Sequence, residues 1–477
     1  MNKHSVVIVG GGISGLSTAF FLSRRAAQEH FPLKITVLEA SDRFGGVLRT
    51  MTLGGFQREA GADAFYAGQD DATDLCRELG LQKDLIEAAP CFRRFFFLKN
   101  KRYFPIPGVP GSFLDTVQFL WHPQVSFLAK FRMLGEPFIP RRRDEQDESL
   151  ASFIRRRLGQ GFYQELVKPL VQGVYMMDPE VLSLGAMFPR FKQAERTFGS
   201  LAGSFLKMKS KKKEKGRAEF FTLKHGLEGL VQALVRELGV FEAWPSRPSE
   251  RVGIPACELR RSAPVRECTY RMGAGWEILS ENGELLRADS LCLAMNACES
   301  SKLLSRQAPE LSRELSEIRY DSIATVNLIY RFEDAPAGDL APGFLVPMDG
   351  ECYPFSSLKW LGKSADGKHM FMRAFLSETM IPEVFMESDE TLKQKLQDFL
   401  DDFFGIQAKP LFVDVERYPR ALPQYKTGHL ERVARIETLT AQYPGLFFAG
   451  NGFRGFGITD CIRQAKIVSA RCQFQNL

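Results

Sequence analysis

A glycine-rich segment, residues 10–15, constrains the fold more than any other part of the chain. It follows a β-branched run, residues 6–9, and precedes a helical pattern that begins at Leu16. Strand, glycine turn and helix in this order are the context in which the spacing G-x-G-x-x-G indicates a dinucleotide-binding fold. Gly10 permits a tight turn, Gly12 lets the backbone approach a pyrophosphate, and Gly15 lets helix and strand pack closely. We therefore expect the phosphates at a helix N-terminus, where free N–H groups and the helix dipole favour anions.

An acidic residue completes the dinucleotide signature. Residues 35–38 form a second strand-like run, and Glu39 follows them directly. A carboxylate at the end of this strand is placed to bind ribose hydroxyls. The alternative, a glycine-rich turn in an unrelated α/β domain, is disfavoured because strand, helix and acid occur together.

The residues after Glu39 indicate which dinucleotide is bound. Arg43 and the pair Gly45-Gly46 follow within one short loop. This arrangement resembles the FAD-binding start of the superfamily of flavin amine oxidases and phytoene desaturases. Arg43 is then expected to neutralise the pyrophosphate, and Gly46 to bring the backbone close to the flavin side of the cofactor.

A second candidate cofactor segment lies near the other end of the sequence. Residues 446–451 form a strand-like run, and residues 455–458 form a turn before a helical pattern. A helix N-terminus aimed at the flavin would stabilise negative charge on the reduced ring. The two segments together predict a cofactor domain that both ends of the sequence close.

The composition disfavours several other classes of protein. With 477 residues, of which 44% are hydrophobic, the chain is long enough for two or three globular domains. No apolar run is long enough to span a bilayer, and a strand so close to the N-terminus leads us to expect no signal peptide. The nine cysteines and six histidines show no metal-binding spacing, which predicts a reducing cytosol and no metal site.

Residues 91–217 differ from their surroundings and predict an inserted helical domain. They combine prolines, Phe-rich stretches and helical patterns, and they end in a basic run, residues 207–217. Such a run is most often a solvated loop. The functional alternative is that it is attracted to anionic lipid headgroups. Nucleic acid is disfavoured as a partner because no recognition motif accompanies the run.

Four further segments resemble one family of this superfamily, the oxygen-dependent protoporphyrinogen oxidases. They are residues 173–178, 343–347, 422–431 and 455–462, which follow the family's order over nearly the whole chain. The resemblance implies an FAD enzyme of haem biosynthesis that oxidises protoporphyrinogen IX to protoporphyrin IX, with O2 as acceptor and H2O2 as product. It also implies a cytoplasmic protein or one peripheral on the cytoplasmic face of a membrane. We expect that FAD is bound non-covalently and that no protein side chain acts as a nucleophile. Whether the protein forms a homodimer is left open by the sequence.

The resemblance predicts an α/β fold with a Rossmann-like FAD-binding domain, a mixed-sheet substrate domain and the inserted helical, membrane-associated domain. The FAD-binding domain comprises residues 1–90, 218–300 and 440–477, and the helical domain residues 91–217. The substrate domain comprises residues 301–439, in which we expect strands that alternate with turns.

Candidate site residues carry over one at a time from the resemblance. Arg94 matches an arginine that holds a substrate propionate, which suits its planar, two-pronged side chain. Leu345 matches a residue that flanks a pyrrole ring, Val265 an adenine contact, and Tyr418 a side chain on the flavin edge. The other candidate substrate residues are Gly173 and Met177. The remaining cofactor candidates are Gly10, Gly11, Gly12, Ile13, Ser14, Gly15, Glu39, Ala40, Arg43, Gly46, Val47, Gly61, Ala62, Asp63, Ala64, Gly450, Phe456, Gly457 and Ile458.

Departures from the family pattern keep other functions open. Met176-Met177 stands where relatives have Ala-Gly, and Pro342 stands where they have an aromatic residue. A coproporphyrinogen III oxidase of the same fold would need further lysines or arginines to pair its additional carboxylates. A flavin amine oxidase is indicated only by Lys359 beside Trp360. A flavin-binding scaffold without catalytic turnover is the third alternative.

Overall fold

The structure is a computed structural model that describes residues 4–89, 91, 95–99, 102–106, 125–207, 220–239, 257–335, 343–346, 353–364 and 366–474. The strands are β1 (His4–Val9), β2 (Leu33–Leu38), β3 (Thr50–Leu53), β4 (Phe56–Glu59), β5 (Phe65–Tyr66), β6 (Leu85–Glu87), β7 (Phe95–Lys99), β8 (Arg102–Pro105), β9 (Phe220–Leu223), β10 (Cys257–Arg260), β11 (Val265–Arg271), β12 (Gly275–Ser280), β13 (Leu285–Ala288), β14 (Ser290–Leu293), β15 (Tyr320–Arg331), β16 (Gly343–Leu345), β17 (Ser357–Lys363), β18 (His369–Ser377), β19 (Phe412–Pro423) and β20 (Leu446–Phe448).

The α-helices are α1 (Ile13–Gln28), α2 (Asp71–Glu78), α3 (Phe127–Leu134), α4 (Leu150–Leu158), α5 (Gln160–Phe162), α6 (Lys168–Tyr175), α7 (Leu184–Met187), α8 (Pro189–Phe198), α9 (Leu201–Lys207), α10 (Glu228–Glu237), α11 (Ala297–Leu304), α12 (Pro309–Ser316), α13 (Pro382–Phe385), α14 (Asp389–Phe404), α15 (His429–Thr440) and α16 (Ile458–Arg471). Short 3-10 turns span Gln82–Asp84 and Glu136–Phe138, and a π-helical turn spans Tyr163–Val167. The chain divides into two compact units. Unit 1 comprises Met1–Glu87, Glu219–Arg319 and Leu430–Leu477, and unit 2 comprises Ala88–Ala218 and Tyr320–His429.

A five-stranded parallel sheet, in the order β10-β2-β1-β14-β20, forms the centre of unit 1. The β-branched run at residues 6–9 is fully buried in β1, as a strand inside a parallel sheet requires. Leu16 and Phe20 of α1 share one hydrophobic core with Ile462 of α16. This unit confirms the predicted α/β, Rossmann-like architecture around the glycine segment.

The carboxyl ends of the central strands meet at one edge of this sheet. The N–H of Gly10 donates to the carbonyl of Leu38 at 2.8 Å, which ties the end of β1 to the end of β2. The N–H of Ala294 donates to the carbonyl of Val9 at 2.8 Å, and β14 therefore ends beside β1. Ligands of open parallel sheets bind outside this edge.

A seven-stranded mixed sheet, in the order β19-β15-β18-β17-β16-β7-β8, forms the centre of unit 2. Only the pair of β16 and β7 is parallel among these strands. One face of the sheet packs against α14 through a core that includes Val326, Met372 and Leu396. The opposite face carries Leu345, which lies in register with Ser357 of β17.

Helices of residues 125–207 also belong to unit 2, and a buried charge cluster joins them. The Arg157 side chain is fully buried and pairs with Glu136 at 2.6 Å. Glu136 in turn accepts the N–H of Leu201 at 2.8 Å, at the start of α9. The cluster therefore fixes α4 against the following helices, since an unpaired charge at this depth would be costly.

Parts of the chain differ from the expectation of strands and turns in residues 301–439. Residues 301–319 belong to unit 1 and contribute to α11 and α12. The 16-residue α14 also lies in this range, because the Ser388 hydroxyl caps its N-terminus and Leu392, Leu396 and Leu400 recur every fourth residue on its buried side. Conversely, β7 and β8 form sheet strands inside the range predicted to be helical. The local sequence pattern of residues 301–319 and of β7 and β8 does not reveal which unit or sheet they join, because that depends on contacts with residues far away in sequence.

Candidate functional site

The glycine segment leaves space at the N-terminus of α1. A Cβ atom placed on Gly12 would meet no atom within 4 Å, so the folding of the chain does not itself require glycine there. Gly12 is the N-cap of α1, and as a glycine it has no side chain with which to cap the first N–H groups of that helix. Open space beside uncapped N–H groups is what an approaching pyrophosphate needs. The segment therefore fits the phosphates of a dinucleotide.

Glu39 holds the glycine segment in position. Its Oε2 accepts the N–H of Gly11 at 2.7 Å, and its Oε1 accepts both the N–H and the hydroxyl of Ser41, at 2.8 and 2.7 Å. A carboxylate offers about four acceptor positions, so these three bonds leave capacity for a ribose hydroxyl. The half-buried carboxylate can thus orient the loop and bind the ligand at once.

Arg43 closes the turn that follows. Its guanidinium donates to the carbonyls of Phe44 at 3.1 Å and Leu48 at 3.2 Å, and also to the carbonyl of Gly46. The N–H of Gly45 donates to the carbonyl of Gly11 at 2.8 Å. The turn therefore lies directly against the glycine segment, with Gly46, Val47 and Ala40 exposed. In this arrangement Arg43 braces the turn, and its contact with a pyrophosphate stays a prediction.

Further hydrogen bonds bring other cofactor candidates of unit 1 towards this edge. The N–H of Ala263 donates to the backbone carbonyl of Glu39 at 2.9 Å, two residues before Val265. The hydroxyl of Thr459, in the first turn of α16, donates to the carbonyl of Tyr66 at 2.7 Å. This bond ties the segment that contains Gly61, Ala62, Asp63 and Ala64 to the one that contains Phe456, Gly457 and Ile458. Sequence reasoning missed Thr459, although a threonine in the first helical turn was a visible signal.

Cys461 lies beside the glycine segment, and its thiol is expected to be unreactive. It is buried in α16, and burial raises the pKa of its thiol to about 11, against an opposing hydrogen bond with Ser14. A thiol in this state is almost entirely protonated at neutral pH and is a poor nucleophile. Gly450 also lies at this edge, and a Cβ atom on it would approach the carbonyl oxygen of Met295 to 3.3 Å.

In unit 2, two of the predicted substrate residues touch each other. A Cβ atom on Gly173 would lie 2.8 Å from the Cβ of Leu345, so only glycine lets α6 approach β16 this closely. Met177 is buried beyond the end of α6, while Met176 at its C-cap has a left-handed backbone with φ of 52°. Tyr418 lies in β19, opposite Ile323 of β15, and thus belongs to unit 2, whereas the other cofactor candidates belong to unit 1.

Some predicted features lie outside the described residues. These are Arg94, which precedes the start of β7, Pro342, and residues 208–217 of the basic run. Lys359 and Trp360 are described, and they point to opposite faces of β17. Trp360 is buried in the core under α14, whereas Lys359 lies in register with Gly343 and Arg373 on the face that carries Leu345.

Comparisons with known proteins agree over nearly the whole chain. The model of a family described as flavin containing amine oxidoreductases matches residues 13–473. The coproporphyrinogen III oxidase of Bacillus subtilis is 28% identical over 480 residues, which cover 97% of each chain. The protoporphyrinogen oxidase of Bos taurus is 29% identical, with 98% of each chain covered.

A solved structure gives the same result for the fold. A crystal structure of a protein from Exiguobacterium sp. 255-15 superposes on this structure with a TM-score of 0.79. That protein is named, provisionally, a protoporphyrinogen oxidase. The two proteins are 29% identical, and the match covers 98% of each chain. The mixed α/β architecture of both units is therefore that of a known flavoenzyme fold.

Replacing Gly12 with alanine is expected to weaken FAD binding without destabilising the protein. The new methyl group would meet no protein atom within 4 Å but would enter the space in which we expect the pyrophosphate. Overpacking of this kind should raise the dissociation constant of FAD about tenfold or more. Fluorescence titration of the apoprotein with FAD measures the affinity, and urea unfolding measures the stability.

Gly15→Ala is the matched control, because its Cβ atom would lie 1.9 Å from the carbonyl oxygen of Gly10. It should destabilise the apoprotein itself. Equal losses of stability in both variants would show that Gly12 serves the fold rather than the ligand.

Denaturation is expected to release all of the FAD from the purified protein. The Cys461 thiol, which contacts Ser14 of the glycine segment, stays protonated because burial raises its pKa to about 11. Acid precipitation followed by absorbance at flavin wavelengths should find the yellow colour in the supernatant. Flavin that remains on the precipitated chain would contradict this prediction.

Proposed function

We propose that this protein oxidises a porphyrinogen to the corresponding porphyrin. The proposal starts from the family, because the chain belongs to the flavin-containing amine oxidoreductases. It is an oxidoreductase whose cofactor is FAD. The carboxyl edge of the parallel sheet in unit 1 holds that cofactor through residues 10–15, with Glu39 on the ribose. The names of relatives that match the chain end to end support the porphyrinogen as substrate.

Each part of the chain has a separate task in the proposed reaction. When bound, FAD supplies the ring that accepts hydride equivalents, and the overall reaction consumes O2 and releases H2O2. The N-terminus of α16, beginning at Ile458, favours negative charge near it through its dipole. The apolar pair Gly173 and Leu345 in unit 2 excludes water and orients a bulky, largely apolar tetrapyrrole. No side chain needs to act as a nucleophile.

We take protoporphyrinogen IX as the substrate, because the described substrate candidates are apolar. Gly173, Leu345 and Met177 are all buried and offer no charge. Such a surface suits a tetrapyrrole that carries few carboxylates. Arg94 supplies the expected partner for a propionate, as the family resemblance implies.

Coproporphyrinogen III is the second candidate, and one observation favours it. Lys359 and Arg373 stand side by side on the face of the unit 2 sheet that carries Leu345. The Lys359 ammonium is half-buried, 4.6 Å from the centre of the Phe375 ring. A substrate with more carboxylates would find cations there, and the Bacillus subtilis relative bears this substrate's name.

A flavin amine oxidase specific for amines is less well supported. The sequence hint for it was the pair of Lys359 and Trp360, which alternate across β17 and therefore cannot face one ligand together. The buried Trp360 serves the core under α14 instead.

We also propose that unit 2 attaches peripherally to the cytoplasmic face of a membrane. Five large side chains on one side of α3 and the turn after it are 64–87% exposed. We call them the α3 patch; its members are Phe127, Leu128, Phe131, Leu134 and Phe138. The exposed Arg132, Arg141 and Arg143 occur in the same segment and suit anionic headgroups. No helix among the described residues is long and apolar enough to cross a membrane.

Arg94→Ala is expected to lower kcat/KM for porphyrinogen by about one to two powers of ten, because a charge-assisted pair with a carboxylate contributes roughly 1.5 to 3 kcal/mol. Arg94→Lys should restore only part, since an ammonium cannot pair both oxygens. Porphyrin fluorescence, with protoporphyrinogen IX and coproporphyrinogen III compared, measures the rates. Arg93→Ala is the control and should be nearly silent, and a critical Arg93 beside a neutral Arg94 would overturn the assignment.

The double variant Leu128→Ser and Phe131→Ser should lose affinity for anionic vesicles by about tenfold or more, because each buried apolar side chain contributes about 1.5–3 kcal/mol. Cosedimentation with phosphatidylglycerol vesicles at low salt measures binding. Met272→Ser is the control, since Met272 is 94% exposed but lies in unit 1, away from the α3 patch in sequence. A wild-type protein that ignores the vesicles would refute the attachment.

A further inference from the structure

Gln172 is a buried polar side chain whose oxygen has no hydrogen-bond partner among the described residues. It lies in α6 and is 7% exposed, yet no described residue forms a hydrogen bond with its side-chain oxygen Oε1. Its backbone carbonyl is used normally and accepts the N–H of Met176 at 3.0 Å. Native proteins rarely leave a buried amide oxygen unsatisfied, because this costs free energy of folding. Such a group therefore needs another explanation.

The position of Gln172 suggests that explanation. Gln172 and Gly173 each lie one turn from Pro169, at i+3 and i+4, and all three are buried, so they occupy adjoining parts of the buried surface of α6. Gly173 is the residue whose missing side chain lets α6 approach Leu345. The residue that carries the unsatisfied oxygen thus adjoins Gly173, where we propose the substrate contact of unit 2.

We propose that Gln172 is a positioning residue whose side-chain oxygen accepts a hydrogen bond from a pyrrole N–H of the substrate. This inference rests on the proposed function, because porphyrinogens supply the matching donors: every pyrrole nitrogen of the reduced ring carries hydrogen. The oxidised ring keeps hydrogen on only half of its nitrogens. A fixed acceptor therefore binds substrate better than product and favours release once oxidation is complete.

The role gives Gln172 an unusual combination of mutational effects. Gln172→Leu removes a buried oxygen that no described residue satisfies, so the apoprotein should keep or raise its Tm. The same variant should raise KM about fivefold, the effect of one lost neutral hydrogen bond, with kcat little changed. The inhibition constant of the porphyrin product should change less than KM. Gln172→Glu keeps an acceptor oxygen and should recover part of the loss.

Matched glutamines provide the controls. Gln464 is also 7% exposed, but its amide donates to the carbonyls of Gly455 at 3.1 Å and Arg454 at 3.2 Å. Gln464→Leu should therefore lower the Tm of the apoprotein. Gln164 is exposed in the π-helical turn before α6, and Gln164→Leu should leave both Tm and KM unchanged.

Thermal unfolding of the apoproteins and steady-state kinetics with protoporphyrinogen IX make the test. A lower Tm for Gln172→Leu, comparable with that of Gln464→Leu, would show a structural amide and overturn the inference. An unchanged KM would overturn it as well. If the wild-type protein turns over no porphyrinogen at all, the proposed function fails instead, and the two failures are thereby distinguished.

Discussion

One carboxylate organises the cofactor end of unit 1. Glu39 accepts three hydrogen bonds, one from Gly11 and two from Ser41, and its backbone carbonyl accepts a fourth from Ala263. Three stretches that are separate in sequence are thereby fixed around the carboxyl end of β2. Because hydrogen bonds to an ionised group are stronger than neutral ones, this junction sets the shape of the edge before any ligand arrives. The space at Gly12 exists because the segments around it are held in this way.

The features that could be predicted from sequence are the local ones. The order of β1, residues 10–15 and α1 follows from adjacent residues, because strand, turn and helix each have a short-range chemical signature. Burial of residues 6–9 and the end of β2 at Leu38 are of the same kind. Even at the other end of the chain, the turn before α16 was visible from its glycines.

Features that depend on tertiary contacts could not be predicted in the same way. The approach of Gly173 to Leu345 joins a helix and a strand far apart in sequence, and only the family resemblance suggested it. Lys359 and Trp360 are adjacent in sequence and so suggested a shared amine oxidase site, but side chains alternate along a strand and the two therefore lie on opposite faces. Gln172 could not be recognised from the sequence, because the feature that distinguishes it is a buried side-chain oxygen that no described residue satisfies.

The division of unit 1 into three stretches of sequence has a consequence for how the protein is made. The glycine segment lies in the first of these stretches to be synthesised, but α16, whose Ile462 shares its core and whose Cys461 meets Ser14, lies in the last. All of unit 2 is produced in between. Contacts over such separations form slowly, because a long loop must close before they stabilise anything. The core behind the glycine segment is therefore incomplete until α16 has been translated, and a nascent chain without it would expose an apolar helix face to the chaperones of the cell.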